Sequence, residues 1–188
     1  MKAIVGVLYG SIVFEPTVRR DDQGFVACTF DAEIACAAGL DCRDLVQEIQ
    51  TRTGRGGVRG LHLRTDGGEG RLVRCTHGAV VDVAVDLRPS SPTYRLWMTA
   101  VLDDVDHRSV WLPAGLAHGY QALTDTADVC CRVNRIQRPE LEMTIRYDDP
   151  DLAIPWPLPV TAVDRRDEVA PALAVVEPML SEWFGALA

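Results

Sequence analysis

Along the middle of the chain, apolar and polar positions alternate with a period of two, and clusters of Gly, Pro, Ser and Asp cut the alternation into short runs. In residues 79–87, Val81, Val83, Val85 and Leu87 share one face, while Asp82 and Asp86 share the other. Residues 58–64, 71–76, 94–102, 109–112, 119–123 and 128–134 read as further strands, separated by turns such as Pro89-Ser90-Ser91-Pro92. Many short strands at this spacing predict a sandwich or a barrel.

The ends of the chain read differently. Residues 1–13 form an apolar edge strand, and Arg19-Arg20-Asp21-Asp22-Gln23-Gly24 marks a loop before a β-like run at 25–30. Asp31 suits the N-cap of a short helix that runs through Ala38 and is stopped by Gly39. A run at 45–51 leads into Gly54-Arg55-Gly56-Gly57, a flexible loop ahead of the strand at 58–64. A Pro-rich tail (Pro155, Pro157, Pro159) precedes an amphipathic helix at 172–186, with Leu173, Val176, Leu180 and Trp183 on one side and a kink at Pro178. With no internal repeat, residues 1–188 read as a single β-rich domain with helical ends.

Composition narrows the function more than the fold. Hydrophobic residues make up 47% and charged residues 24%, as in an ordinary soluble domain. No apolar run approaches the roughly 20 residues that span a bilayer. The first residues carry only Lys2 as a basic group and continue into Phe14-Glu15-Pro16, which predicts an edge strand, no signal peptide and a cytoplasmic protein. A net charge of −8 with dispersed arginines gives no footprint for nucleic acid. Lys2 is the single lysine, so the body of the domain has no Schiff-base amine.

Six cysteines (Cys28, Cys36, Cys42, Cys75, Cys130, Cys131) show no Cys-x-x-Cys spacing, and for most of them buried free thiols are expected. Cys130 and Cys131, adjacent on a strand, point to opposite faces. No His-x-His occurs, so no cupin-type metal site is expected.

Candidate chemistry centres on the strand at 58–64, where Arg59 and His62 stand in an otherwise apolar setting. A histidine there is either a hydrogen-bonded core residue or a proton-transfer group on a rigid wall. Asp82 and Asp86 read as structural, pairing with arginines across the sheet.

Four segments occur in an order and spacing that resemble the dTDP-4-dehydrorhamnose 3,5-epimerase family over roughly residues 10–175. They are Arg59-Gly60-Leu61-His62; residues 78–88 with Ser91-Pro92-Thr93; Leu112-Pro113-Ala114-Gly115-Leu116-Ala117-His118-Gly119-Tyr120; and Tyr147-Asp148-Asp149-Pro150-Asp151-Leu152 with Trp156-Pro157. The resemblance implies a mostly β, cupin-type double-stranded β-helix (jelly roll) with short helices at the N-terminal side and the C-terminus. It also implies a homodimer formed by strand exchange, a small-molecule carbonyl substrate and no cofactor. In the implied chemistry a ketone acidifies the neighbouring C–H bonds, a base removes a proton, the enolate is stabilised and an acid returns a proton to the opposite face. By resemblance His62 is the base and Asp167, in Arg166-Asp167-Glu168-Val169-Ala170-Pro171, its partner. Arg59, His118 and Gln47 match substrate-binding positions, and Arg71 stands where the family usually has a lysine near the ketone oxygen.

The chain also departs from the pattern. Cys131 occupies the position of the family's catalytic tyrosine; a thiol can donate a proton, yet it is shorter by most of a ring. Gln23 replaces a loop arginine, Val26-Ala27-Cys28 a Phe-Phe-Glu, Ile49 an asparagine, and Ile136-Gln137 a Tyr-Tyr; in the family these positions largely hold the diphosphate and the thymine. Two enzyme readings remain open. One is a nucleotide-sugar epimerase with His62 as base and Cys131 or water as acid. The other is a reassigned scaffold that isomerises, cyclises or eliminates on a non-nucleotide biosynthetic intermediate. The second predicts a pocket apolar around Val26 and Ile49 with His62 still bonded to Asp167. A third reading is a non-catalytic partner subunit. A His62 sealed from solvent without Asp167 excludes both enzyme readings.

Overall fold

The computed structural model describes residues 1–40 and 45–185. Cys42 and the end of the expected helix, Ala186, lie outside the described residues. Six strands form a first sheet in the order β1 (Lys2–Val5), β2 (Ile12–Glu15), β10 (Ser109–Leu112), β7 (Arg71–His77), β12 (Thr126–Val133) and β5 (Gln47–Gly54). A second sheet has the order β13 (Glu142–Thr144), β6 (Gly57–Arg64), β11 (Leu116–Ala122), β8 (Ala79–Asp86) and β9 (Trp97–Asp103), with β14 (Ala162–Val163) pairing in parallel with β6. β3 (Val18–Asp21) and β4 (Gly24–Ala27) make a separate hairpin. This is the mostly β, cupin-type jelly roll that the resemblance implies.

Period-two alternation sends side chains to both faces of each sheet, and each face is covered differently. Between the sheets, Val73, Val110, Leu112 and Val129 of the first meet Val80, Ala84, Leu102 and Tyr120 of the second. On the second sheet's other face, Leu61, Leu63, Val83, Val85 and Leu87 pack under Leu152, Leu173, Val176, Leu180 and Phe184 of the tail. Covering both faces is why β8 is buried almost end to end, and each of its buried valines contributes roughly 1.5–3 kcal/mol. Helix α1 (Ala32–Ala37), capped by the Asp31 side chain on the Glu33 and Ile34 amides, closes the outer face of the first sheet around Ile12, Phe14 and Leu72.

Several expectations are corrected. The apolar start is two strands, because Gly6 N–H bonds to the Ser11 carbonyl and turns the chain: β1 is the exposed edge and β2 lies inside the sheet. Arg19, Arg20 and Asp21, read as loop, are strand β3, whose polar side chains are exposed. The Gly54–Gly57 loop is a tight turn between β5 and β6, in which Gly56 takes φ 76°. The C-terminal segment breaks at Pro178 into α3 (Leu173–Val176), a single 3₁₀ turn and α4 (Leu180–Phe184). Its fully buried side chains are Leu173, Val176, Leu180 and Phe184, with Trp183 only partly buried.

Asp86 pairs with Arg88, two residues on, and also accepts from Ser91 and Thr93; Asp82 pairs with a histidine instead of an arginine. Of the cysteines, Cys75 and Cys130 are buried, whereas Cys28 and Cys36 are exposed on the hairpin's trailing end and on α1. Among the described residues no helix is long and apolar enough to cross a membrane.

Candidate active site

Simple alternation would put Arg59 and His62, three residues apart, on opposite faces of β6. The pairing with β11 shows otherwise: His118 faces His62 and Tyr120 faces Arg59, so three residues of β6 run against two of β11. A bulge of this kind adds one residue and re-aims the side chains beyond it. It falls at Gly60, where φ is +123° and an added Cβ would lie 2.5 Å from Gly119 Cα and 2.7 Å from the His118 carbonyl oxygen. Arg59, His62, His118 and Tyr120 therefore all line one cavity of about 340 Å³ between the sheets.

The orienting partner of His62 comes from far along the chain. β14 lies beside β6, with Ala162 opposite Gly57 and Val163 opposite Val58, and delivers α2 (Arg165–Glu168) to the bulge. Asp167 Oδ1 stands 2.7 Å from His62 Nε2, and Oδ2 accepts the Gly60 amide at 2.9 Å. Asp167 is 1% exposed, while the His62 side chain keeps 25% exposure toward the cavity. Burial alone would raise the Asp167 carboxyl, but the hydrogen bond and charge of His62, the Gly60 amide and Arg166 outweigh it and hold it below the ordinary carboxylate range. A carboxylate can only accept, so Nε2 carries a proton, and in the neutral ring Nδ1 is the lone-pair nitrogen.

A second pair lies beside the first: His118 Nε2 stands 2.6 Å from Asp82 Oδ1, both residues buried. Arg59 donates from Nε to Thr53 Oγ1 at 3.0 Å, and the Tyr120 hydroxyl sits 2.9 Å from that oxygen and 2.7 Å from Thr51 Oγ1.

The facing wall is built on β5, β12 and β7, and much of it is aliphatic: Ile49, Val129 and Val133 line it beside Cys131. Cys130 points to the other face, toward Thr76, as adjacent strand residues must. Burial pushes the Cys131 thiol up to about 12; Arg71 pulls it down, and Glu69 and Asp82 oppose that pull. Cys131 is therefore S–H at neutral pH. Arg71 supplies a cation, yet its guanidinium is tied to Glu69 at 2.8 Å and 3.0 Å and reaches the His62 carbonyl at 3.4 Å.

At the rim Glu142 links Arg166 and Gln137, each at 2.7 Å. Burial would raise the Glu142 carboxyl, but the hydrogen bonds from Gln137 and Arg166, with the charges of Arg166 and His62, bring it below its ordinary value. Gln47 is not among the lining residues; its side-chain oxygen accepts the Gln137 amide at 2.7 Å and so fixes the rim loop. Val26 lies on the exposed hairpin, away from the cavity.

The structure thus brings together His62, Asp167, Arg59, His118, Arg71 and Cys131. It adds Tyr120, Thr51, Glu69, Glu142 and Arg166, which sequence reasoning did not single out. Two of these had a signal: Glu69 precedes Arg71 by two residues across Gly70, and Tyr120 lies two residues beyond His118 on one strand face. Chemically the site sets a carboxylate-oriented imidazole beside a half-apolar cavity that Arg59, Arg71 and Arg166 also line.

The profile of the dTDP-4-dehydrorhamnose 3,5-epimerase family matches residues 6–175. A dTDP-4-dehydrorhamnose 3,5-epimerase of Methanothermobacter thermautotrophicus is 40% identical over 151 residues, covering 80% of this chain and 81% of that protein. Among solved structures, a 4-keto-6-deoxy sugar epimerase from the novobiocin biosynthetic gene cluster of Streptomyces spheroides superposes with a TM-score of 0.90 at 35% identity, covering 95% of this chain and 90% of that one. A 3,5-epimerase of Legionella pneumophila, solved with dTDP-4-keto-L-rhamnose, superposes with a TM-score of 0.88 at 34% identity, covering 95% and 96%.

Proposed function

This chain belongs to the dTDP-4-dehydrorhamnose 3,5-epimerase family, and from that premise we propose that it epimerises a dTDP-4-keto-6-deoxyhexose next to the ketone, with His62 as the base. The observation that carries this reading is the 2.7 Å pair of His62 with a buried Asp167 carboxylate at a cavity large enough for a small ligand. Nδ1 takes a proton from the carbon beside the ketone, and Asp167 stabilises the imidazolium that results. Negative charge then develops on the ketone oxygen, where Arg71 is the nearby cationic donor in the cavity, beside the Asp82-bonded His118. Arg59 and Arg166 line the same cavity and suit the anionic part of a nucleotide sugar.

The test is incubation with dTDP-4-keto-6-deoxyglucose in deuterium oxide, following C3 and C5 by NMR and mass. Deuterium uptake that disappears in His62→Asn is expected. Neither exchange nor dTDP binding at millimolar concentration would sink the proposal.

One observation favours the second reading. Ile49, Val129 and Val133 give the first-sheet wall an apolar surface, which suits a less anionic carbonyl substrate that is isomerised, cyclised or eliminated by the same base. Exchange with a non-nucleotide ketone but not with the dTDP-sugar would decide for it. The homodimer belongs to the proposal as well: β1 is an open edge, exposed throughout, with its own Val5 at 86% exposure and Val7 just beyond it at 75%. Sedimentation as a monomer at micromolar concentration would remove it.

A further inference from the structure

Resting on the proton-transfer reading above, we propose that Tyr120 donates the proton that returns to the substrate carbon, in place of the residue at position 131. Among the described residues that line the cavity, Tyr120 is the one phenol. Its backbone lies on β11, in the same sheet as His62, but its hydroxyl reaches the other sheet, 2.7 Å from Thr51 Oγ1 and 2.9 Å from Thr53 Oγ1 on β5. β5 pairs with β12 so that Thr51 faces Val129 and Ile49 faces Cys131. The phenol oxygen is thus set against the first sheet, one same-face step along the strands from Cys131. A sugar ring lying between the sheets has the His62 imidazole toward one face and the Tyr120 hydroxyl toward the other. Inversion at carbon needs that opposition, because the proton must leave from one face and return to the other.

The hydrogen bonds around Tyr120 suit a donor. The Thr51 and Thr53 hydroxyls lie 2.7 Å and 2.9 Å from the phenol oxygen, and Thr53 Oγ1 also accepts the Arg59 Nε–H at 3.0 Å. Each threonine hydroxyl can rotate to donate to the phenol oxygen, which frees the Tyr120 proton for the cavity. In the transfer the O–H bond breaks with its electron pair staying on oxygen, the enolate pair forms the new C–H bond, and the ketone is restored. The phenolate left behind is met by two hydroxyl donors, one polarised by Arg59. The imidazolium then loses its proton to solvent, the phenolate regains one, and the cycle closes. The thiol of Cys131 has no comparable support: Glu69 and Asp82 both disfavour its anion.

Tyr120→Phe keeps the ring and removes only the hydroxyl. Wild type, Tyr120→Phe and Cys131→Ser are incubated with dTDP-4-keto-6-deoxyglucose in deuterium oxide, and two quantities are read from each sample. One is deuterium in recovered, uninverted substrate, which reports His62 alone; the other is the amount of inverted product. The expected result for Tyr120→Phe is inversion reduced about 100-fold or more with same-face exchange reduced less than about fivefold, and Cys131→Ser within about twofold in both. Inversion at the wild-type rate in Tyr120→Phe overturns the inference, as does loss of inversion in Cys131→Ser. Equal loss of exchange and inversion in Tyr120→Phe also overturns it, in favour of a purely structural hydroxyl. A wild type that neither exchanges nor binds overturns the functional reading, a result distinct from any difference among the variants.

Discussion

The two walls of the cavity are made in different ways. On the second sheet, His62 and His118 each hold a carboxylate, at 2.7 Å and 2.6 Å, and their aim depends on a backbone bulge at Gly60 and on a tail strand beside β6. On the first sheet, Ile49, Val129, Cys131 and Val133 project from β5 and β12, whose mutual register runs unbroken from Thr126 to Val133, although β12 shifts register against β7 between Asp128 and Val129. Changing one side chain on a regular strand leaves the ladder intact, whereas moving a bulge re-aims every residue beyond it. The His62–Asp167 pair is therefore bound to the fold, whereas a side-chain change on the facing wall leaves the β5–β12 ladder in place.

The largest effect should come from the bound half. His62→Asn is expected to lower C–H exchange by about 10²–10⁴-fold with an unchanged circular dichroism spectrum; exchange at the wild-type rate would place the base elsewhere. Asp167→Ala should cut exchange as well, and by leaving the buried Gly60 amide without its acceptor it should cost about 1–3 kcal/mol in urea unfolding. The same variant sharpens a pH difference. A carboxyl held low in the folded state adds stability above the ordinary value of about 3.9, and that stability is lost as pH falls through the lowered value. Unfolding between pH 6 and pH 3 should thus be steeper in wild type than in Asp167→Ala, and identical slopes would deny the lowered carboxyl.

Gly60→Ala comes next. Its φ of +123° and the 2.5 Å approach to Gly119 predict about 1–3 kcal/mol of destabilisation together with weakened exchange, because the bulge aims His62. An alanine variant as stable and active as wild type would break the link between bulge and base. The smallest effect belongs to the variable wall: at pH 8 iodoacetamide should label exposed Cys28 and spare Cys131, whose thiol burial pushes up to about 12. Fast labelling of Cys131 in the folded protein would overturn that.

Legibility in the chain divides along the same line. The strands with clear alternation, such as 79–87 and 109–112, lie where the pattern puts them, because covering both faces of a sheet leaves a plain hydrophobic signature. Asp167 and Arg71 are reached only through the resemblance, since nothing local in Arg166-Asp167-Glu168 announces a partner 105 residues away. The bulge is not legible, because a one-residue mismatch shows only when both strands are in view. Alternation assigns Asp82 to a face of the sheet but not to its neighbour on β11, so the expected arginine partner proves to be a histidine. Gln47 matches a pocket position, yet its side chain reaches the Gln137 amide, a contact between distant loops that spacing cannot encode.

The pairing of Asp167 with His62 and Gly60 also has a consequence during synthesis. Each of these bonds joins residues more than 100 positions apart, so a chain emerging from a ribosome can complete β6, β11 and β8 while the carboxylate has yet to be translated. Such a nascent jelly roll has its imidazole but no partner to set the tautomer until the segment carrying Asp167 docks beside β6. The carboxylate that orients His62 is thus the last part of this pair to be put in place.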